Sequence, residues 1–166
     1  KYPQLLEAHA LLCLVLAESG TSEEFQLACS HLPPNADLHP EIWLARGIWA
    51  SKHNQTQAAA RCFWESLRFQ PNFPNANYRL SQELVKLGQP DVARPFAERA
   101  KHLISLSFEI TSLMAGIKPD KLESVVRQLE ELGRDREAVS WCRMLQLHKN
   151  LEPQWARDTQ ERLYPR

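Results

Sequence analysis

The chain has 166 residues, and its 20 Lys and Arg residues balance 20 Asp and Glu residues, so the formal net charge is zero. This balance gives no electrostatic reason to expect nucleic acid or an anionic membrane as the main partner. Hydrophobic residues make up 43% of the chain, which is enough to bury a core and too many for a disordered protein. The longest apolar stretch, around Leu11–Ala17, is too short to cross a bilayer. We therefore expect a folded domain without a membrane span.

The N-terminus and the cysteines bear on the context of the chain. The sequence begins at Lys1 with neither an initiator methionine nor a secretion-signal pattern, which favours a segment of a larger protein. No two of the four cysteines have the close spacing of a zinc or redox motif; they are Cys13, Cys29, Cys62 and Cys142. We expect them to be buried free thiols in a reducing compartment, and we therefore expect a cytoplasmic protein.

Turn residues recur along the chain at a regular interval. Gly20, Asn54 and Gly88 are spaced 34 residues apart, and each tolerates the left-handed backbone that ends a helix before a tight turn. Small and apolar residues recur with the same offset. A further glycine, Gly133, lies 45 residues after Gly88, which indicates a fourth copy that follows an 11-residue insertion. The sequence therefore predicts a helical repeat.

The first two repeats are predicted at residues 4–37 and 40–73. In the first repeat, Thr21 and Glu24 form a capping-box pattern for the second helix, which Pro33-Pro34 shortens. In the second repeat, we predict two helices on either side of the Asn54 turn, at Glu41–His53 and Gln57–Phe69.

The insertion falls in the third repeat, residues 74–118. The segment from His102 to Met114 lacks Gly and Pro and is apolar at helical spacing, so an elongated second helix from Pro90 to Met114 is the simplest interpretation. A separate short helix is the alternative. The fourth repeat covers residues 119–152, and Pro153–Tyr164 has the apolar and charged faces of a helix that closes a solenoid. No strand-like alternation competes with an all-α fold.

The second repeat resembles the tetratricopeptide repeat (TPR) signature, which places aromatic, small, alanine and proline residues around a central turn. The matching residues are Trp43, Gly47, Ala59, Phe63 and Pro71. The other copies keep most small and turn positions but depart at Phe25, Asn77 and Val126. The resemblance covers nearly the whole chain. It implies a single domain over residues 1–166, built as an α–α superhelix (solenoid) of about four TPR-like helical hairpins, with an elongated helix in the third repeat and a C-terminal capping helix.

Domains of this family are scaffolds in which the first helices of successive repeats line a concave groove that holds a segment of a partner. Such preformed side chains lose little ordering entropy when a peptide binds. The resemblance therefore implies a non-enzymatic protein–protein interaction scaffold with a protein or peptide partner and no cofactor. The groove positions implied for this sequence are Leu14, Leu44, Ile48, Tyr78, Arg79, Gln82, Glu123 and Arg127.

Alternative roles remain open for several of these positions. The three apolar residues are equally consistent with core packing against a neighbouring repeat. We expect Tyr78 and Arg79 to be exposed and to contact the partner, whereas Arg127 is also able to pair with Glu123 along one helix face. Of the positions that hold carboxylate tails in chaperone-binding relatives, only Arg79 matches. A ligand with an apolar stretch followed by a polar or acidic group fits better.

Sequence features of an enzyme are missing. The histidines show no metal-ligand spacing on a common helix face, and neither a glycine-rich phosphate loop nor a nucleophile elbow occurs. We therefore predict no catalysis and no metal site. Two alternatives to the groove scaffold remain, namely a non-catalytic spacer attached to an enzyme domain in a larger protein and a self-association module. The self-association module, a homodimer, would use four residues of the long helix, Leu103, Leu106, Ile110 and Leu113.

Overall fold

The computed structural model describes residues 4–114, 116, 118–149 and 153–164. Within these ranges all regular elements are helical and no strand occurs, so the predicted all-α class is confirmed. The helices are α1 (Gln4–Ser19), α2 (Ser22–Ser30), α3 (Pro40–Lys52), α4 (Thr56–Phe69), α5 (Pro74–Lys86), α6 (Pro90–Met114), α7 (Pro119–Glu131), α8 (Asp135–Lys149) and α9 (Gln154–Leu163), with a single 3-10 turn at Ala36–Leu38 between α2 and α3.

Local residue chemistry explains where the helices begin. A proline occupies the first turn of α3, α5 and α7, where a missing backbone donor has no cost because that N–H has no partner within the helix. At the start of α2, the Glu24 backbone N–H donates to Thr21 Oγ1 over 3.2 Å, and the Thr21 N–H donates to the Glu24 carboxylate over 2.9 Å. The predicted capping box is confirmed.

The predicted left-handed turns are confirmed at Asn54 and Gly88, and Gly133 has the same backbone conformation. Asn54, Gly88 and Gly133 have φ values of 58°, 74° and 69°. The prediction is wrong for Gly20, whose φ lies outside the left-handed region. A Cβ at Gly20 would instead lie 2.8 Å from the Leu16 Cδ2 atom and 2.9 Å from the Leu16 carbonyl oxygen. Glycine is required at this position because of close packing.

The residues that the sequence assigned to an insertion continue one helix. Helix α6 runs unbroken for 25 residues, so the elongated helix is confirmed and the separate short helix is not observed. Charged residues such as Asp91, Arg94 and Lys101 interrupt its apolar positions. Neither α6 nor any other helix in the described ranges combines the length and apolar character that a membrane span requires.

The tertiary contacts group the chain into two compact units, Lys1–Lys101 and His102–Arg166, with the division inside α6. In the first unit, α1 packs on α2 and α3, α3 packs on α4, and α4 packs on α5. In the second unit, α8 packs on both α7 and α9. The single domain over residues 1–166 and the repeat boundaries stay predictions.

A close contact between α3 and α4 lies at the centre of the first unit. Phe63 on α4 is fully buried, and its ring lies so near Gly47 on α3 that a Cβ at Gly47 would come within 2.4 Å of the ring. Ile42, Ile48 and Leu80 are among the other large side chains of this core. The glycine lets the two helices approach closely enough for the aromatic ring to fill the space between them.

Asn77 lies where the resemblance to the TPR signature predicts an aromatic residue, and its side chain makes polar contacts. Its side chain is buried, and its Nδ2 donates to the backbone carbonyls of Pro71 at 3.0 Å and Phe73 at 2.9 Å. The amide thus connects α5 to the loop that precedes it. Hydrogen bonds to the backbone offset the cost of burying this polar group, so the departure from the signature is compatible with a folded core.

Candidate functional site

Two of the predicted groove positions belong to the core of the first unit. Leu44 and Ile48 are each only 1% exposed and pack within the central cluster of this unit, and Leu14 is partly buried against the same cluster. Leu44 and Ile48 are therefore not available to a ligand. The spacing of Leu44 and Ile48 places both side chains on one face of α3. The structure shows that neighbouring helices bury this face.

Arg79 is held by contacts within the chain. Its guanidinium forms an ion pair with the carboxylate of Glu18 on α1, and its Nε donates to Asn75 Oδ1 over 2.9 Å. The side chain is 27% exposed and therefore only partly accessible, and its contact with a partner stays a prediction. The ion pair joins α1 to α5 across 61 residues of sequence.

Tyr78 lies on the surface of α5, as predicted, and Gln82 is exposed on the same helix. Tyr78 is 52% exposed, and its hydroxyl accepts a hydrogen bond of 2.9 Å from the Gln82 side-chain amide. Gln82 also borders a shallow depression of about 320 Å³ together with Val85 and Arg94. These residues give the first unit an exposed strip with one aromatic ring.

The last two predicted residues, Glu123 and Arg127 on α7, form an ion pair of 3.0 Å, as the alternative interpretation of Arg127 expected. Both also line a groove of about 380 Å³ between α7 and α9 in the second unit. Its volume falls within the range of about 300–1,000 Å³ that is typical of ligand pockets. We name this site the α7/α9 groove, and its lining residues are Glu123, Val126, Arg127, Glu130, Trp155, Asp158, Thr159 and Arg162.

The floor of the α7/α9 groove is apolar and its rim is charged. Val126 and Thr159 are buried, and Trp155 packs partly against the core of the second unit while also lining the groove. At the rim, Arg162 on α9 forms an ion pair of 2.6 Å with Glu130 on α7, and Thr159 Oγ1 donates to the same carboxylate over 3.2 Å. These links fix α9 against α7, so the groove is preformed.

The sequence interpretation missed the α9 side of this groove because it assigned that segment only a capping role. The spacing of the α9 lining residues does contain a signal: Trp155, Asp158, Thr159 and Arg162 recur at helical intervals and share one face. The same spacing would be expected of a face buried against α8. The sequence pattern therefore does not show which helix this face of α9 contacts, and only the packing does.

The proposed dimer seam on the long helix lies in the core of the second unit. Leu103, Leu106 and Leu113 are buried there, and Ile110 packs partly buried against the same cluster. These residues therefore do not form a surface for a second copy. The large apolar side chains that α6 does expose in this unit are Ile104 and Phe108, which are 45% and 73% accessible.

Packing brings together two cysteines that lie far apart in sequence. The thiol of Cys13 on α1 hydrogen-bonds to Cys29 on α2, and this interaction lowers the pKa of Cys29 to about 7, whereas burial opposes the shift. Burial raises the pKa of Cys142 in the second unit to about 11. The structure contains all four cysteines as free thiols.

These pKa shifts predict an order of alkylation. Because the thiolate is the reactive form, we expect iodoacetamide at pH 8 to modify Cys29 before Cys142, with the Cys29 rate falling as the pH is lowered through 7. Peptide mass spectrometry over time measures both rates. Removing the hydrogen bond with Cys13→Ala should slow Cys29 at pH 7.5 by roughly tenfold, whereas Cys13→Ser keeps a donor and should slow it less. Equal labelling of Cys29 and Cys142 would contradict this prediction.

A group of potential metal ligands also arises from different parts of the first unit. One side-chain ligand atom from each of Glu7, His39 and Glu41 lies within 4.8 Å of the others. His39 Nε2 is 3.2 Å from the Glu7 carboxylate, which is largely exposed. This contact between His39 and the Glu7 carboxylate on α1 accounts for the arrangement.

Comparison with known proteins found no matching family model, no similar curated protein and no similar solved structure.

Proposed function

We propose that this chain is a TPR-like protein-interaction module that binds a peptide segment of a partner protein in the α7/α9 groove. The observation that carries the proposal is the preformed groove itself. It has an apolar floor that includes Trp155, and two ion pairs at its rim hold charged side chains in place. A partly exposed tryptophan in a cleft is the kind of anchor that supplies much of the binding energy at protein interfaces.

The spacing of the lining residues supports a ligand that lies along the helices. On α7 the residues recur from Glu123 to Glu130, and on α9 they recur from Trp155 to Arg162, so each helix contributes about two turns to the groove. A short helix or an extended segment matches such a cleft. The repeat resemblance supports the same proposal, since it assigns α7 to the first helix of a repeat, the class of helix that lines the groove.

Selection from an unbiased peptide library tests this function. The full chain is immobilised, enriched peptides are synthesised, and hydrogen exchange of the chain is compared with and without each peptide. We expect slower exchange in Glu123–Glu131 and Trp155–Arg162, and at least about tenfold weaker binding to the Trp155→Ala variant. The proposal fails if the library yields no binder. It also fails if every binder slows hydrogen exchange only in helices other than α7 and α9.

A further inference from the structure

Acidic side chains outnumber basic ones around the α7/α9 groove. A second depression of about 310 Å³ adjoins the groove on α7 and shares Glu123 and Arg127 with it. The acidic residues that line the two are Asp120, Glu123, Glu130, Glu131 and Asp158. The basic ones are Arg127 and Arg162, which leaves a local excess of three negative charges on a chain whose formal net charge is zero.

Both arginines are already neutralised by ion pairs within the second unit, since Arg127 pairs with Glu123 and Arg162 pairs with Glu130. Three carboxylates remain, those of Asp120, Glu131 and Asp158. Among the side chains that the structure describes, none of these three forms an ion pair. Asp158 accepts a hydrogen bond of 2.7 Å from the neutral amide of Gln154, which leaves its charge uncompensated.

The groove and the adjoining depression together thus combine an apolar floor with a negatively charged rim. From this combination we infer that its ligand is a basic amphipathic peptide segment, with an apolar side chain packed against Trp155 and Val126 and Lys or Arg residues directed at the free carboxylates. The inference rests on the proposed function and specifies its ligand. It reverses the expectation from sequence that the ligand carries a polar or acidic group, because that expectation was drawn from the first helices of the predicted repeats and left out α9.

Charge complementarity also argues against other occupants. An acidic peptide, a nucleic acid and an anionic lipid headgroup would each place negative charge beside the free carboxylates. A second copy of the chain docked groove to groove would do the same, because a two-fold contact brings identical patches together. A cationic segment gains attraction without disturbing either internal ion pair.

Three synthetic 16-residue peptides with identical leucine positions provide the test. Their remaining positions are filled with Arg and Lys, with Glu, or with Gln, and binding to the full chain is measured by fluorescence anisotropy. We expect the basic peptide to bind at least about tenfold more tightly than the neutral one, and the acidic peptide more weakly than both. Raising the salt concentration from 50 to 300 mM should weaken only the basic complex appreciably.

A charge-matched pair of variants locates the interaction. The double variant Glu131→Gln, Asp158→Asn removes one free carboxylate from the adjoining depression and one from the groove. We expect it to weaken binding of the basic peptide by about three- to tenfold. The control Asp135→Asn, Glu161→Gln removes two exposed carboxylates that do not line the groove, and should leave affinity within about twofold. Equal losses in both double variants would show nonspecific attraction and overturn the inference.

The remaining outcomes separate this inference from the proposed function. If the neutral or acidic peptide binds as tightly as the basic one and slows hydrogen exchange in α7 and α9, the ligand chemistry is wrong while the groove function stands. If no designed peptide and no library peptide protects α7 and α9, both proposals fail. Because Trp155 also packs in the core, hydrogen exchange on the unmodified chain carries this comparison.

Discussion

Replacing Gly47 with valine should destabilise the first unit by about 3 kcal/mol, near the upper end of the usual cost of overpacking a core. A Cβ at this position would lie 2.4 Å from Phe63 Cε1 and 2.5 Å from Cδ1, and the Phe63 ring is fully buried. Because protein interiors are close-packed, the ring can move away only by displacing its neighbours. Leaving glycine in a helix normally costs about 1 kcal/mol relative to alanine, so the steric conflict outweighs the gain in helix propensity.

Chemical denaturation followed by circular dichroism and tryptophan fluorescence measures the effect of Gly47→Val. Gly116→Val is the control, because nothing lies within 4 Å of a Cβ at Gly116. A second test combines Gly47→Ala with Phe63→Leu, which replaces the ring by a smaller side chain. We expect the double variant to be more stable than the sum of the two single losses predicts, and a double-mutant cycle measures this coupling. Unchanged stability of Gly47→Val would show that the α3–α4 contact is wider than described.

Truncating Leu106 to alanine should lower the free energy of unfolding of the second unit by about 2–5 kcal/mol, the usual range for a large aliphatic side chain in a core. Leu106 on α6 is fully buried and packs in the same cluster as Val125, Leu129 and Leu145. Its removal should leave a cavity among α6, α7 and α8. Phe108→Ala on the same helix should change stability by less than about 0.5 kcal/mol, because that side chain is exposed.

The Leu106 variant also distinguishes a core residue from a dimer seam. Hydrogen exchange should become faster in α7 and α8 of the Leu106→Ala variant, and light scattering should give the same mass as for the unmodified chain. A core role for Leu106 is contradicted if the variant retains its stability and converts a dimer to a monomer. That result would restore the self-association hypothesis for the long helix.

The helix boundaries of this protein can be predicted from sequence because they depend on local interactions. Predicted helices in the second repeat begin and end within about one residue of α3 and α4, since proline at the first turn and the left-handed Asn54 act through their immediate neighbours. The capping box at Thr21 and the unbroken α6 follow from equally local interactions. Gly20 is the exception, because a side chain at this position would collide with Leu16, whereas its φ angle does not require glycine.

Tertiary structure alone decides which faces are covered and which charges remain free. Helical periodicity places Leu44 and Ile48 on one face, but only the neighbouring helices determine that this face is core. Arg79 finds its partner Glu18 through packing across 61 residues, a pairing that no local pattern specifies. The α7/α9 groove arises in the same way. Its lining residues come from two helices that α8 separates in the sequence, and they form one groove only because the helices pack together.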